Sequence, residues 1–587
     1  MAFVGLLGLT ACDSNLDVQP LDKVDLENYF RSASEMDLYS TAFYSILEGK
    51  PYSYQDDHIA KQVLSNELLC GDARVVPGSS SNWEWTTLRN INTLLEYAPK
   101  NCSDPEAVTK YSAVARFFRA YFYFDKVKRY GDVPWIDRQL FSTDDQLYAP
   151  RDSRELVMSK MLEDIDFAIE NLPDSKAETN VAKVTKGAAL ALKSQFCLFE
   201  GTFRKYHGIT LEGHDWQFYL QQCVDASEKL MSGQYGKYAL YNTGKPASDY
   251  RDLFTRINAA DTKGEYILSV AYSQTLSLYH NANTYAVGNN QGKPSLMRKL
   301  VASYLMKDGT RFTDKPGWQT MVFADEMKDR DPRLAQTLRA PGHKRYDENV
   351  VTSCNFQVSS TGYQPIKYVT AQRINNNDCD MTSRSLTDMP VFRYAEVLLN
   401  YAEAKAELGS LSQADLDKSI NLLRKRAGMP DMKVGNSADP FLLSEEYGYF
   451  NCKDGDILEI RRERGIELVQ ENHRFWDLLR WKEGKCINQP WYGMYVPGPC
   501  ELDMSGDGKP DVYFYAAGST KPSVSGSAIA LEIGKDIRLS QETKGNTCDH
   551  HTQNLQKFNE DRDYLYPIPS QQIELNPNLV QNPGWTK

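Results

Sequence analysis

Two tracts of the chain place aromatic side chains beside groups that hydrogen-bond in a plane. The first runs from Cys70-Gly-Asp72-Ala-Arg74 to Asn82-Trp83-Glu-Trp85. The second runs from Leu278-Tyr279-His280-Asn-Ala-Asn283-Thr-Tyr285 on to Pro316-Gly-Trp318-Gln319. An aromatic face can stack on the C–H face of a pyranose while amide, carboxylate and guanidinium neighbours take its hydroxyls. The bland alternative is a set of core aromatics with a solvated Asp72/Arg74 pair. Trp85 precedes Leu88, Ile91 and Leu95 at helical spacing and reads as core. Trp83 sits at the loop–helix junction and reads as a contact residue. Trp318 follows Pro-Gly, which favours exposure.

A third tract is Asp503-Met-Ser505-Gly-Asp507-Gly508-Lys509-Pro-Asp511. Oxygen groups fall at loop positions one, three, five and nine, with Gly at six and the Lys509 carbonyl at seven, the start of an EF-hand-like calcium loop. Phe514 stands where the bidentate Glu belongs, so a metal-free Gly/Asp turn is the competing reading. Cys548-Asp-His550-His551 reads as a solvated turn, since adjacent residues seldom converge on one ion. There is no G-x-S-x-G, H-E-x-x-H, Walker A loop or G-x-G-x-x-G. Nothing singles out a carboxylate pair for glycoside hydrolysis, and no catalytic residue is assigned.

The elements that position these tracts are helical. Glu459–Lys485 reads EIRRERGIELVQENHRFWDLLRWKEGK. Glu463, Glu467 and Glu471 lie four apart, so they could meet Arg461 and Arg464 along one helix wall, above a face of Ile460, Leu468, Phe475, Trp476, Leu479 and Trp481. Arg474, Asp477 and Arg480 could bind an anion or a sugar, but a core-packed scaffold helix is the stronger reading. Segments 110–131, 183–201 and 392–409 each set small Ala against large aromatics and close on Gly; each is followed by a second amphipathic segment, at 154–172, 216–231 and 413–426. That pattern predicts a mainly α scaffold of about four tetratricopeptide-like helix pairs. A Gly-, Pro- and Asn-rich insertion at 233–390 and a second irregular tract at 486–563 interrupt it.

With 587 residues there is ample chain for a large core, and a net charge of −11 argues against a nucleic-acid partner. The 35 Tyr and 9 Trp permit a carbohydrate-binding surface without requiring one. No apolar run approaches the ~20 residues of a transmembrane helix. Phe3-Val-Gly-Leu-Leu-Gly-Leu9 does precede Leu9-Thr10-Ala11-Cys12, which resembles a bacterial lipobox with Cys12 as the lipidated residue, although no Lys or Arg precedes the apolar run. No C-x-x-C occurs; an exported compartment would permit disulfides, with Cys70/Cys102 and Cys354/Cys379 as candidate pairs.

Four motifs carry a family resemblance. Y-L-Y-P-I-P at 564–569 followed by E-x-N-P-x-L-x-Q-N-P-G-W at 574–585 resembles the C-terminus of SusD/RagB proteins. R-A-Y-x-Y…Y-G-D-V-P at 119–134 resembles their first repeat helix and its exit. The block at 459–485 and the lipobox complete the match, which spreads over the mature chain. The resemblance implies an outer-membrane surface lipoprotein that captures glycans (in some members peptides) and delivers them to a TonB-dependent, SusC-like transporter, without being an enzyme. It implies a signal peptide at 1–11, a lipidated tether at 12–25 and a helical region at 26–232. The 233–390 insertion would add ligand surface, and 391–587 would hold the signature region. In position, it points to Trp83, Trp318, Tyr279, Tyr285, His280, Asn82, Asp72 and Arg74 as glycan contacts. Asp503, Ser505, Asp507, Lys509 and Asp511 would hold a structural calcium ion, with no other cofactor expected. Peptide capture on the same scaffold, or less favoured a surface glycoside hydrolase, are the alternatives.

Overall fold

Side chains that start and stop helices set the first half of the chain. The description comes from a computed structural model that places residues 26–49, 55–62, 74–174, 181–548 and 557–586. Helix α1 (Ala33–Thr41) starts at Ser32, whose hydroxyl accepts the Glu35 N–H, and it runs on as a 3₁₀ turn to Ile46. Helix α2 (Thr86–Asn101) follows the turn that carries Trp83. Helix α3 (Pro105–Tyr130) opens on Asp104, whose carboxylate accepts the Glu106 and Ala107 amides, and Pro105 fills the first position, where no N–H is needed. Helices α4 (Arg154–Asn171), α5 (Lys186–His207) and α6 (Trp216–Met231) are capped in the same way by Ser153, Thr185 and Asp215. Each such cap contributes ~1 kcal/mol.

Helices α2 to α6 pack each on the next. The series resumes with α7 (Tyr394–Glu407), which lies on α5 and α6, followed by α8 (Gln413–Asp417) and α9 (Ile420–Ala427). Helix α10 (Gly455–Glu467) packs on α7, and α11 (Arg474–Arg480) on α5. The mainly helical scaffold with irregular insertions is therefore as expected, and one apolar cluster runs through it from Phe30 to Leu579.

Two local expectations need correction. Gly201 does not end a helix; α5 continues to His207 and stops at the left-handed Gly208. Gly201 is instead where α6 comes closest, since a Cβ there would lie 2.7 Å from Leu220 Cγ and 3.0 Å from the Trp216 carbonyl oxygen. The 459–485 block is also not one helix, because Gln470 and Asn472 adopt positive φ (64° and 63°) between α10 and α11.

That break changes the partners of the block's charges. Glu467 accepts Arg426, Arg393 and Arg333, at 2.6, 2.8 and 3.1 Å. Arg393 also reaches Glu265 and Glu471, and Glu463 takes Arg333 and Arg424. Arg464 and Arg480 share Asp477, and Arg474 forks onto Asp57. Glu463, Glu467 and Glu471 thus pair with arginines of other segments rather than with Arg461 and Arg464 of their own wall. Burial would raise the Glu467 carboxyl, but Arg426, Arg393 and Arg333 outweigh it and hold it below its ordinary range. Arg474, Asp477 and Arg480 are scaffold.

The insertion is tied off at its base. Tyr266–Val270 pairs antiparallel with Met389–Arg393, and the second strand leads directly into α7. In the later irregular tract, Cys500–Leu502, Val512–Tyr515 and Ile529–Glu532 form a small sheet over a separate apolar cluster. Cys354 and Cys379 are buried and unbridged, so that expected disulfide does not form; Cys102 is also a free thiol, and Cys70 lies outside the described residues.

Candidate functional site

Most of the aromatic residues singled out in the sequence turn inward. Trp83 is 5% exposed, held edge-to-face by Tyr130 and Trp85 at 4.7 and 5.5 Å. Trp318 is 8% exposed against Phe441 and Tyr447, with Arg298 donating to its carbonyl at 2.9 Å. Neither indole can act as an open stacking platform; both were gained by the core because a flat apolar ring buries more area than any other side chain on those turns. Tyr285 is buried with Ile59 and Leu296. His280 is buried as well, its Nε2 2.9 Å from the Thr387 carbonyl, and burial pushes its imidazole down to about 3. Arg74 is a buried structural ion, 3.1 Å from Asp563 and stacked between Tyr566 and Trp585 of the C-terminal signature. Asn82 is half-buried, its carbonyl taken by the Lys126 ammonium. Asp72 and Cys12 lie outside the described residues.

Tyr279 alone of the expected platforms keeps an open flank. It is half-buried, and the exposed Arg384 guanidinium lies 5.4 Å from its ring centroid. Three loops of the insertion build this face. Residues 273–278 form a narrow turn closed by the Ser273–Leu278 bridge, with Ser277 at positive φ (55°). Arg373–Ile374 and Asn377–Asp378 pair across Asn375-Asn376, both at positive φ (51° and 63°), the geometry of a type I′ hairpin that Asn accepts more readily than most residues. The third loop, 343–351, is bound to the hairpin through Arg345, which forks onto Asp380 at 2.7 and 2.5 Å, and through Asp347, which accepts the Gln372 N–H at 2.8 Å.

The turn and the hairpin are joined by the antiparallel His280–Ser385 bridge, by Asn283 donating to Asp380, and by the Thr284 hydroxyl at 2.9 Å from the Asp380 and Met381 carbonyls. His280 and Asn283 therefore serve the face as buried supports. The Arg384 guanidinium lies over Tyr279 and Gln274 ties its turn to Asn375 of the hairpin; the same loops expose Gln372, Arg373, Asn376, Leu278 and Met381. An open tyrosine face with planar amides and guanidiniums at its rim can stack a sugar ring and bond its hydroxyls. The acids here are engaged: Asp380 by Arg345 and Asn283, Asp347 by Gln372 and Asp378 by the Asp380 N–H. Tyr346, Arg373, Arg384 and the hairpin amides were not anticipated from the sequence. Asn375-Asn376 between Ile374 and Asn377 was the signal available, a turn dipeptide inside an otherwise featureless tract.

The 503–511 loop closes on its own backbone. Asp503 accepts the Gly506 and Gly508 amides at 2.6 and 2.8 Å, Asp511 accepts Met504 and Ser505 at 2.8 and 2.7 Å, and Asp507 accepts Lys509 at 2.9 Å. Ser505 is buried and Lys509 exposed. Among the described residues no three His, Cys, Asp or Glu side chains gather as a metal-holding group.

Comparison with known proteins agrees with this architecture. A family model described as "SusD family" matches residues 262–585, and one described as "Starch-binding associating with outer membrane" matches 38–198. SusD-like protein P38 of Formosa agariphila is 24% identical over 520 residues, covering 84% of this chain and 93% of that protein. SusD-like protein P2 of the same organism is 23% identical, covering 83% and 90%. Among solved structures, a SusD-like protein of Bacteroides fragilis superposes with a TM-score of 0.66 at 22% identity, covering 95% of this chain and 98% of that one. A SusD-like carbohydrate-binding protein of the same species gives 0.66 at 22% identity, covering 94% and 99%. With a SusD family model spanning more than half its length, the chain belongs to the SusD family.

Proposed function

We propose that this protein is a non-catalytic, lipid-anchored glycan-binding protein of the outer-membrane surface that passes oligosaccharide to a TonB-dependent, SusC-like transporter. The observation that carries the reading is the Tyr279–Arg384 pair in a rim of exposed amides, in a chain whose family includes a solved carbohydrate-binding protein. The engagement of Asp347, Asp378 and Asp380 supports binding without hydrolysis, because glycoside cleavage needs two carboxyl groups facing the same bond. Anchoring rests on Leu9-Thr10-Ala11-Cys12. A structural calcium ion in the 503–511 loop belongs to the same reading; its support is the spacing of oxygen groups, since the carboxylates as placed close the turn on amides. Calcium added to chelator-treated protein is expected to raise Tm, and an unchanged Tm would leave the amide-closed turn as the loop's whole structure.

The test is affinity electrophoresis of the soluble protein, begun after Cys12, through gels holding plant, microbial and host polysaccharides. Retardation by a polymer, lost in Tyr279→Ala and Arg384→Gln with the polymer unshortened, is the expected result. Shortened polymer would establish a hydrolase. No retardation by any polymer would remove the glycan reading and direct the search to peptides.

A further inference from the structure

Arginines in this fold are, as a rule, matched by carboxylates; beside the loop face two are not. Arg251 is 8% exposed, and its one side-chain hydrogen bond goes to the Val369 carbonyl at 3.0 Å. Arg339 is half-buried, with one side-chain bond, to the Ser353 carbonyl at 3.0 Å. The Nε atoms of both are buried without an acceptor, and neither guanidinium has a carboxylate at ion-pair distance among the described residues. His343 is buried among Arg251, Arg339 and Arg345; burial first, then those three cations, hold its imidazole down at about 3, so it is neutral. Arg345 is committed to Asp380. Of the nearby acids, Asp252 accepts the Tyr346 hydroxyl at 2.9 Å and Asp347 accepts the Gln372 N–H, while the exposed Glu348 acts on Arg339 only from beyond ion-pair distance. Tyr346 lies on Arg251, 4.4 Å from guanidinium carbon to ring centroid, and remains 48% exposed.

A buried guanidinium without a counter-charge is costly, and two adjacent ones repel each other. Elsewhere the fold mostly meets that cost with Glu and Asp; Arg330, held by the Glu326, Val301 and Tyr304 carbonyls, is an exception away from this face. Here the same segments that carry Tyr346 join the hairpin beside Tyr279, so the shortage of negative charge adjoins the proposed binding face. A guanidinium fork matches the two oxygens of a carboxylate or the oxygens of a sulfate ester.

We infer that the ligand is an acidic saccharide, its carboxylate or sulfate ester seated against Arg339 and Arg251 while a sugar ring stacks on the open side of Tyr346. This rests on the glycan-binding reading above and narrows it to one substrate class. It also explains how a chain of net charge −11 could hold a polyanion: the attraction is local rather than global.

The experiment compares polymers that differ only in charge. Polygalacturonate is run beside its fully methyl-esterified form, κ-carrageenan beside its desulfated form, and neutral glucans and mannans complete the set. The proteins are wild type, Arg339→Gln, Arg339→Lys, Tyr346→Ala and, as a remote charge control, Lys535→Gln. Arg339 is chosen over Arg251 because its side chain is the less buried. Wild type is expected to bind a charged member about tenfold or more tighter than its neutral counterpart, the scale of one charge-assisted hydrogen bond. Arg339→Gln should lose that preference, Arg339→Lys should keep part of it, and Lys535→Gln should keep all. Preference for the uronate pair would assign a carboxylate, and preference for the carrageenan pair a sulfate ester. Equal binding of charged and neutral members, or a preference that survives Arg339→Gln, overturns the inference while leaving glycan binding in place. No binding to any polymer overturns both.

Discussion

Two regions of this molecule are rich in arginine and differ in what neutralises it. Under α10 and the strand that enters α7, Arg333, Arg393, Arg424 and Arg426 meet Glu265, Glu463, Glu467 and Glu471, all buried. At the edge of the insertion, Arg251 and Arg339 carry no carboxylate, while Arg373 and Arg384 stand exposed. The comparison shows why arginine alone does not mark a site. A buried cation with a full set of carboxylates ties segments hundreds of residues apart, and a ligand would have to displace partners already optimal in geometry. A cation with only carbonyl partners still has affinity to offer.

Breaking the matched region should give the largest effect. Glu467→Gln removes the charge on which three guanidiniums converge, and a loss of ~3–5 kcal/mol of stability is expected in chemical denaturation, the usual cost of orphaning buried charges. A loss below about 1 kcal/mol would show that Glu265, Glu463 and Glu471 suffice, and the contrast between the regions would collapse. Acid probes the same cluster without mutation. Burial would raise the Asp477 carboxyl, but Arg464 and Arg480 hold it down at about 2, and Glu463, Glu467 and Glu471 are likewise depressed. Because these folded values lie below the unfolded ones, the stability they confer is complete above the ordinary carboxylate range, ~4, and drains away as pH falls towards 2. Stability measured between pH 6 and 2.5 should fall steeply over the lower half of that window. A flat profile would mean that the arginines do not govern these acids.

A smaller effect should come from packing. Gly201→Leu would press a side chain into Leu220 and the Trp216 carbonyl at the α5–α6 contact, costing ~1–3 kcal/mol as overpacking usually does. Thermal unfolding of the variant checks it, and an unshifted Tm would mean that the two helices can separate freely there.

The scaffold was legible in the sequence because helices announce themselves locally. The Ala-against-aromatic pattern of 110–131 and 392–409 is one that close helix packing uses, and the structure adds the caps at Asp104, Ser153, Thr185 and Asp215 that start these helices. Gly201 was misread because glycine at a close crossing and glycine at a helix end look alike until the partner helix is seen. The charges of 459–485 were misassigned because i,i+4 spacing finds partners on one helix but not Arg333, Arg393 or Arg426, which arrive from other segments. The site was less legible still. Trp83 and Trp318 border loop-like stretches, yet their indoles fold back onto Tyr130 and Phe441, and nothing in one dimension reports which side of a turn a ring will take. Of the expected platforms, Tyr279 is the one whose ring keeps an open flank. Arg384 and Tyr346 lie 105 and 67 positions away from it and are brought near by the hairpin and the Arg345–Asp380 fork, long-range features that no local pattern encodes.

The loop face should answer mutation in the opposite sense to the cluster. Tyr279 is only half-buried and Arg384 is exposed, so Tyr279→Ala and Arg384→Gln should each change stability by no more than ~0.5 kcal/mol. Their effect should fall on binding instead. Losing an open stacking surface or a planar donor costs ~1 kcal/mol, about fivefold in Kd, and the double variant should approach additivity only if the two groups contact different parts of the sugar. Calorimetric titration with whichever polysaccharide retards the wild type, run beside thermal unfolding of the same samples, separates the two outcomes. Weaker binding at unchanged Tm would place the ligand on this face. Lowered Tm with unchanged affinity would make Tyr279 another structural aromatic, like Trp83 and Trp318, and would move the search to the cavity of about 210 Å³ walled by Asn82, Tyr121 and Lys128 on the helical side of the molecule.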